Sequence, residues 1–495
     1  MSGPHSQDGH IEDNTDPAEQ VDLNEDDGPA FIDDHDFVEV DVDLENEPME
    51  EDDAIEAAQD EGSMTERPQV LDMSNCVLTS HSGPVYSVAT LRVPASNLLL
   101  VATGGGDDKA YLNVINVESD SLTCTATLEL TPPNHTHNDT ISCVAFSNVS
   151  EKTLPTILAT GCYDGTIQLW DVKLDDGSIK ATHARQLDGP SDIEWMTFHP
   201  LGGTVLLAGS TDGTVWMWYT PTGKCLQVFV GHSNDVTAGG FTLDGKLAVT
   251  AGVDGTLRVW APKKGHCKHS FGTSHDNVAS EPFAEEALTC MSIHSTDGGQ
   301  QVAICGCENG TAWLTHLTNK KVLGCLHHYI PNPGDSNKAS HVMDDEDDQD
   351  EIPELRSVEA VGFAPEALKT KWCATGGTDG NLKIWDTTNN QCRQTCHHTD
   401  PEGNTAGVTK LFWHPTLPLI YTAASDGTVR AWDARSGVCV TEMTGNRDVI
   451  NDMSISFGHD TQPDFVVTAS EDESVRVFEV YPVELMQLSA NGAER

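Results

Sequence analysis

Thr160-Gly-Cys-Tyr-Asp-Gly-Thr-Ile-Gln-Leu-Trp-Asp171 is the stretch that decides the fold, because its pattern occurs eight times along the chain. Each copy combines the end of a strand of small residues, an x-Asp-Gly type of turn and an apolar strand that often ends in Trp. The other copies begin at Thr103, Ala208, Thr250, Cys305, Thr375, Thr422 and Thr468. Self-similarity at this period predicts a repeat architecture rather than several unrelated domains.

A strand of the form V-x-x-V-x-F precedes each copy, as in Val236–Phe241 and Val358–Phe363. Four short strands per repeat are typical of a propeller blade, which cannot bury both of its faces alone. The sequence therefore predicts an all-β WD-repeat β-propeller of eight blades. Residues 75–79 are expected to pair beside Val475–Val480 and close the ring. The copy at Cys305–Leu317 is the weakest, and a seven-bladed ring that omits it is the alternative.

Charge and composition divide the chain into a tail and a propeller. Residues 1–66 hold 25 Asp and Glu and no Lys or Arg, so residues 1–73 are expected to be a disordered acidic tail. The propeller is expected over residues 74–484, followed by a C-terminal tail over residues 485–495. About 70 residues separate the starts of the fifth and sixth copies, and they contain the run Asp344–Asp348. This run predicts an acidic loop insertion over about residues 329–354.

The net charge of −51 indicates which partners the chain can bind. Without the 25 acids of the tail the charge is still −26, which argues against nucleic acid and anionic membranes as direct partners. A basic protein is the natural electrostatic partner. No signal peptide or membrane-spanning stretch is evident. The 14 Cys are scattered and indicate reduced core residues. A monomer in the cytoplasm or nucleocytoplasm is expected.

Many WD blades contain a buried hydrogen-bonded network of His, Ser or Thr, Asp and Trp. Two blades have all four members at matching spacing: His137, Thr160, Asp164 and Trp170, and His232, Thr250, Asp254 and Trp260. The first blade has His81, Thr103 and Asp107 but Asn113 in place of Trp, and the fifth has Cys305, Asn309 and Thr315 instead. Because the combination repeats around the ring, it predicts a structural rather than a catalytic role.

Ring propellers bind mostly on the face that carries the turns between second and third strands. That face is expected to gather the acids Asp139, Asp192, Glu194, Asp235, Glu308, Glu359, Asp448 and Glu471 and the aromatic residues Tyr86, Tyr163 and Trp195. Basic residues are few there, namely Arg356, Lys410 and Arg447. Carboxylates pair with Arg, and aromatic rings cover Lys and Arg stems, so this set predicts a site for a basic segment.

Enzyme and cofactor motifs are incomplete. Gly104–Gly106 lacks the strand–turn–helix context of a nucleotide site, and Thr222–Lys224 lacks the rest of a phosphate loop. The pairs His327–His328 and His397–His398 have no partnering CxxC, and neighbouring strand residues point to opposite faces. No catalytic residue, cofactor or metal site is predicted.

Two runs in the third blade carry a more specific resemblance. Asp192-Ile-Glu-Trp-Met-Thr-Phe-His-Pro200 and Gly209-Ser-Thr-Asp-Gly-Thr-Val-Trp-Met-Trp218 resemble the angio-associated migratory cell protein family, as do Gly104–Ala110 and Tyr421–Arg435. The similarity covers about residues 74–480 and includes an acidic N-terminus of unlike sequence. A fungal relative is a dedicated chaperone for a basic large-subunit ribosomal protein, whereas animal members are associated with cell migration.

The resemblance therefore implies two functions and does not choose between them. The first is a chaperone or assembly factor that shields a basic client such as a ribosomal protein. The second is a signalling scaffold in cell migration and angiogenesis. A substrate receptor of a ubiquitin ligase is a third hypothesis, because propellers often have that role.

Overall fold

The computed structural model describes residues 71–93, 96–118, 121–133, 137–147, 156–272, 286–296, 298–329, 356–399, 403–459 and 462–492. Residues 1–70 of the predicted tail and residues 330–354 of the predicted insertion lie outside these ranges.

Eight antiparallel four-stranded sheets form the described part of the chain, and each is one blade. The first blade comprises β2 (Val85–Val93), β3 (Leu98–Gly105), β4 (Ala110–Asn116) and β5 (Thr123–Glu129). The second comprises β6 (Ile141–Phe146), β7 (Thr156–Cys162), β8 (Thr166–Asp175) and β9 (Ser178–Asp188). The third comprises β10 (Ile193–Phe198), β11 (Val205–Ser210), β12 (Thr214–Tyr219) and β13 (Lys224–Val230). The fourth comprises β14 (Ala238–Phe241), β15 (Ala248–Ala251), β16 (Leu257–Trp260) and β17 (Cys267–Phe271).

The second half of the chain repeats this order. The fifth blade comprises β18 (Leu288–Ser295), β19 (Gln301–Cys307), β20 (Thr311–His316) and β21 (Lys321–His327). The sixth comprises β22 (Val358–Phe363), β23 (Trp372–Gly377), β24 (Asn381–Asp386) and β25 (Gln391–His397), with a 3-10 turn at Glu366–Leu368. The seventh comprises β26 (Val408–Trp413), β27 (Leu419–Ala424), β28 (Val429–Asp433) and β29 (Val438–Met443). The eighth comprises β30 (Ile450–Ser456), β31 (Asp464–Ser470), β32 (Val475–Val480) and β1 (Cys76–Leu78).

The first strands of the eight blades contact one another in a closed cycle. Each contacts the first strand of the next blade, and β30 of the eighth blade contacts β2 of the first. The prediction of eight blades is therefore confirmed. The Cys305–Leu317 copy forms β19 and β20 of a complete fifth blade, so the seven-bladed alternative is wrong.

The ring closes by the predicted pairing of the two ends of the propeller. β1 pairs with β32 in antiparallel register, with Cys76 opposite Val477 and Leu78 opposite Val475. Contact with the ring begins before the predicted boundary at residue 74, because the Met73 amide donates to the carbonyl of Thr444 at 2.9 Å. The Asp72 carboxylate lies 3.3 Å from the guanidinium of Arg476. Arg476 is almost fully buried, so it needs such carboxylates, and residues 71–73 belong to the propeller rather than to the tail.

A single helix follows the last blade within the described residues. α1 (Pro482–Gly492) begins three residues before the predicted start of the C-terminal tail, and Leu485 and Met486 pack against the core between the seventh and eighth blades. Proline suits the first helical position because its missing N–H has no partner there in any case. No described helix is long and apolar enough to cross a lipid bilayer.

The hydrophobic core lies between the blades rather than within one of them. β3 is buried along almost its whole length, and Leu100 and Leu112 of the first blade share a cluster with Ile141 and Leu158 of the second. All 14 Cys are free thiols, but only six of them are buried; five are half-buried, and Cys124, Cys392 and Cys439 are exposed. The prediction of core cysteines therefore holds for fewer than half of them.

The His–Thr–Asp–Trp network is complete in the fourth blade. The ring of His232 lies 3.0 Å from Asp254 and 2.7 Å from the hydroxyl of Thr250, to which the Trp260 indole donates at 2.8 Å. Burial opposes ionisation of Asp254, but its bonds with His232 and Thr256 lower its pKa to about 2. The carboxylate therefore stays charged and holds the fourth blade together.

The sixth and seventh blades contain the same network, which the sequence analysis missed. His328 contacts Thr375 at 2.6 Å and Asp379 at 3.0 Å. His398 contacts Thr422 at 2.7 Å. The guanidinium of Arg430 lies between His398 and the turn carboxylate of Asp426 and contacts both. An insertion hides the member in the sixth blade, because His328 precedes Thr375 by 47 residues whereas His232 precedes Thr250 by 18. His398 precedes Thr422 by 24 residues, so no insertion accounts for the one in the seventh blade.

The second blade departs from the predicted network. His137 contacts Thr160 at 3.2 Å, and the Trp170 indole donates to the same hydroxyl at 3.3 Å. The carboxylate of Asp164 instead accepts from the Asn138 amide at 3.2 Å. Nδ1 of His137 has no hydrogen-bond partner among the described residues.

Trp260→Ala tests the network of the fourth blade. Trp260 is 2% exposed and donates a buried hydrogen bond, so the substitution should lower the free energy of unfolding by about 3 to 5 kcal/mol. Chemical denaturation followed by circular dichroism measures the loss. Trp372→Ala is the matched control, because Trp372 is only half-buried and packs against the Arg393 guanidinium at 4.5 Å. Equal losses in the two variants would contradict the assignment.

Candidate binding face of the ring

The turns between second and third strands define one face of the ring, which we call the turn face. In the third blade Ile193 pairs with Ser210, so the first strand begins where the second strand ends. The turn itself depends on its Asp: Asp212 accepts from the amide and hydroxyl of Thr214 at 2.7 and 2.6 Å. Gly213 has a φ of +79°, which glycine adopts without strain. The turn aspartates are therefore occupied within the fold, and other acids must make a binding site.

The residue directly after the opening apolar residue of each first strand lies at this face, and we call it the rim position. The eight rim residues are Tyr86, Ser142, Glu194, Thr237, Thr289, Glu359, Thr409 and Asn451.

Five rim residues connect their blade to the next one. Each donates a side-chain hydrogen bond to the carbonyl of the opening residue of the next blade, as Thr237 does to Leu288 at 2.6 Å and Thr409 does to Ile450 at 2.8 Å. Ser142, Thr289 and Asn451 make the same kind of bond, and that of Asn451 joins the eighth blade to Val85 of the first. These bonds form a polar seam around the inner ring.

The other three rim positions do not take part in this seam. Glu194 and Glu359 are half-buried, and ionised carboxylates have no proton to donate. Tyr86 is 38% exposed. Among the described residues, none of these three side chains has a hydrogen-bond or ion-pair partner. The fold therefore leaves two carboxylates and one phenol at the rim available to a ligand.

Glu194 belongs to an acidic cluster that it forms with Asp192 and Asp235. Burial, and then the charges of Asp235 and Asp192, raise the pKa of Glu194. Burial and the nearby Glu194 also raise the pKa of Tyr163 to about 12, and Tyr86 contributes to the same shift. The structure thus brings together five of the predicted binding residues on the first four blades.

The remaining predicted acids are placed differently around the face. Glu359 lies in the sixth blade, apart from the acidic cluster, and Glu308 is exposed in the fifth. Glu471 accepts from Asn451 at 2.9 Å. Asp139 and Asp448 accept from the amides of the residues that follow them, at 2.7 and 2.9 Å. These last three are partly engaged within the fold.

Trp195 has a packing role that the sequence analysis did not predict. Its indole donates to the carbonyl of Val236 at 2.8 Å, which replaces the bond that Glu194 cannot make. Its ring lies over Gly209 and Gly239, where an added Cβ would be within 2.4 and 2.0 Å of the indole. Trp195 therefore joins the third and fourth blades, in addition to its predicted place at the turn face.

The basic residues near the face are engaged as well. Lys410 lies 3.5 Å from Asp452, and the guanidinium of Arg356 lies 3.9 Å above the ring of Tyr329. They do not neutralise the acidic cluster, so a cationic ligand would find an excess of negative charge there.

Comparisons with known proteins agree with this architecture. The model of the "WD domain, G-beta repeat" family matches residues 123–171, 182–219, 223–261, 369–386, 390–433 and 437–479. The Saccharomyces cerevisiae protein Sqt1 has a similar structure, with a TM-score of 0.66 and 21% identity over 83% of this chain and 99% of Sqt1. Chaetomium thermophilum Sqt1 bound to the N-terminus of the ribosomal protein L10 gives a TM-score of 0.63 and 21% identity, over 83% of this chain and all of that one.

Sequence comparison identifies the family. The chain is 30% identical to the angio-associated migratory cell protein of Homo sapiens over 473 residues, which are 91% of this chain and 94% of that protein. It is 31% identical to that of Canis lupus familiaris over 413 residues, which are 82% and 80% of the two chains. The chain therefore belongs to the angio-associated migratory cell protein family of WD-repeat propellers.

Proposed function

We propose that this propeller is a chaperone that holds a basic segment of a large-subunit ribosomal protein on its turn face. The observation that carries the proposal is that the rim positions Glu194, Glu359 and Tyr86 have no partner within the described structure. Five equivalent positions are used to join neighbouring blades, so these three are exceptions to the repeat.

The acidic cluster has the chemistry that such a client needs. Glu194 is half-buried beside Asp192 and Asp235, an arrangement that opposes its ionisation in the free protein. An Arg or Lys of the client would relieve that repulsion and donate charge-assisted hydrogen bonds to the carboxylates. Tyr86 and Tyr163 offer aromatic faces to the same side chains.

Long-range charge supports the same client. The chain outside residues 1–66 has a formal charge of −26, and the acidic tail adds 25 carboxylates. Negative potential over a concave face raises the local concentration of cationic segments and speeds their association. The structural likeness to Sqt1 in complex with the L10 N-terminus supports a ribosomal protein as the client.

A scaffold in cell migration is the second candidate. The observation that favours it is the name of the relatives, which are about 30% identical over most of both chains. A charge-driven client complex should weaken steeply between low and physiological salt, whereas a scaffold that uses apolar pockets should not.

Reversing charge at the two acidic rim positions tests the proposed site. Glu194→Lys with Glu359→Lys should weaken binding of a synthetic peptide of the ribosomal protein L10 N-terminus by at least about tenfold, because repulsion is added to lost attraction. Single exposed pairs contribute only about 0 to 1 kcal/mol, so the double variant is the informative one. Isothermal titration at two salt concentrations measures the change.

The matched control reverses two exposed acids away from the turn face, Glu366→Lys with Glu484→Lys. Glu366 lies between the first and second strands of its blade, and Glu484 lies in α1. Circular dichroism establishes that both double variants fold. Equal binding by the two double variants would exclude the turn face as the site.

Glu194→Gln separates a role in binding from a role in stability. The raised pKa means that ionised Glu194 destabilises the folded state, so the neutral variant should have a higher Tm at pH 7 and weaker peptide binding. The gain in Tm should vanish below about pH 4.5, where the carboxyl is protonated in both the folded and unfolded states. Thermal melts at pH 4 and pH 7 measure it, and a lower Tm at pH 7 would show that the carboxylate is structural.

Deleting residues 1–66 tests the acidic tail. Exposed charges that act at a distance change association rates more than they change the final contacts. The truncated protein should therefore bind the same peptide with a slower association rate and a similar dissociation rate, measured by stopped-flow fluorescence. A large increase in the dissociation rate would mean instead that the tail is part of the site.

A further inference from the structure

The space between the network histidine and the turn aspartate differs among the blades, and one residue controls it. This residue lies two positions after the network Thr, and it is glycine in the first, fourth and sixth blades. An added Cβ on Gly252 would lie 2.9 Å from Nδ1 of His232 and 3.2 Å from the Asp254 carboxylate. Gly105 and Gly377 stand in the same relation to their His–Asp pairs. In all three blades the glycine lets the histidine bond directly to the aspartate.

The seventh and eighth blades have a larger residue at this position, and in both an arginine lies beside the turn aspartate. The eighth blade has Asn446 in place of the network histidine. Ala424 replaces the glycine in the seventh blade, where the Arg430 guanidinium lies 2.5 Å from Nδ1 of His398 and 3.1 Å from Asp426. In the eighth blade Ser470 stands at that position, and Arg476 lies 2.8 Å from Asp472. In the seventh blade a positive charge thus takes the place of the direct His–Asp bond.

The second blade has neither the glycine nor the arginine. Cys162 stands at the controlling position, and Gln168 stands where the seventh blade has Arg430. Gln168 is engaged elsewhere, with His183 at 2.8 Å and Gln186 at 3.1 Å. A ring nitrogen of His137, the Sγ of Cys162 and a carboxylate oxygen of Asp164 all lie within 4.8 Å of one another. His137 is 6% exposed, and its Nδ1 has no partner in the described parts of the chain.

We propose that His137, Cys162 and Asp164 form a binding site for a zinc ion in the second blade. Imidazole, thiolate and carboxylate are the ligand types that Zn²⁺ uses, and three protein ligands leave the fourth tetrahedral position to water. The three ligand atoms lie within 4.8 Å of one another. Zinc–ligand bonds of about 2.0 to 2.3 Å need somewhat shorter separations, so the three side chains would move inward when the ion binds.

The surroundings favour a divalent cation. A cavity of about 160 Å³ lies beside His137 and is also lined by Asp107, Asp108 and Lys109. Burial, and then the charges of Asp139, Asp107 and Asp164, raise the pKa of Asp108, so negative charge is concentrated at this cleft.

The test uses the full-length protein after treatment with a chelator, with Co²⁺ as a spectroscopic probe for Zn²⁺. Co²⁺ should bind in one equivalent and give a thiolate charge-transfer absorption, which Zn²⁺ should abolish by competition. Zn²⁺ should also raise the Tm. Carboxylates of the acidic tail cannot give the thiolate signal, so the absorption reports only sites that contain a cysteine.

Cys162→Gly is the decisive variant, because it introduces the residue that three other blades have at this position. It should fold, lose the absorption and bind Zn²⁺ at least about tenfold more weakly. His137→Asn should also lose the signal, and it keeps the test open if the first variant misfolds. The matched control, Cys124→Ser, removes an exposed thiol of the first blade and should leave the signal unchanged. No saturable signal in the wild type, or the same signal in Cys162→Gly and His137→Asn, would overturn the proposal.

Discussion

Every blade of this ring has two apolar faces, and only its two neighbours can cover them. The core clusters show this directly, since residues of the first and second blades share one cluster and β1 shares another with β2 and β31. The ring must therefore close before any blade is fully buried. Closure depends on three residues from the start of the propeller, Cys76–Leu78, which pair with β32. The buried charge of Arg476 strengthens the same joint by drawing in Asp72. All other features, including the shape of the turn face, depend on this closure.

The polar seam at the inner rim joins neighbouring blades and is interrupted at three positions. In five blades the rim residue donates a hydrogen bond to the next blade. At these positions the identity of the side chain is explained by its contribution to stability. In the third and sixth blades the rim residue is a glutamate, which cannot donate. The third blade compensates with Trp195, whose indole bonds to the carbonyl of Val236 over two glycines. The half-buried Glu194 near like charges lowers stability when it is ionised, so folding alone does not account for its presence.

The His–Asp pairs show how one small residue changes local chemistry within a fixed architecture. Glycine permits a direct bond, as between His232 and Asp254. In the seventh blade the residue is Ala424, and the Arg430 guanidinium lies between His398 and Asp426. In the second blade Cys162 places a thiol within 4.8 Å of a ring nitrogen of His137 and a carboxylate oxygen of Asp164, and Nδ1 of His137 is unpartnered among the described residues. The same backbone therefore accommodates a direct hydrogen bond, an ion pair or a thiol beside the two groups.

The sequence by itself determined the eight blades, the ring-closing strand, the acidic character and the family, because these follow from local turn chemistry, repeat period and composition. It also placed the candidate acids on one face. Only the tertiary structure decided which candidate side chains are free of hydrogen bonds within the described residues. Glu471 and the Trp195 indole bond to other residues, whereas Glu194 and Glu359 do not. It likewise revealed His328, whose partner Thr375 lies beyond an insertion, and the ordered contacts of residues 71–73. Such contacts join residues far apart in sequence, and their directions are set by the neighbouring blade rather than by the local pattern.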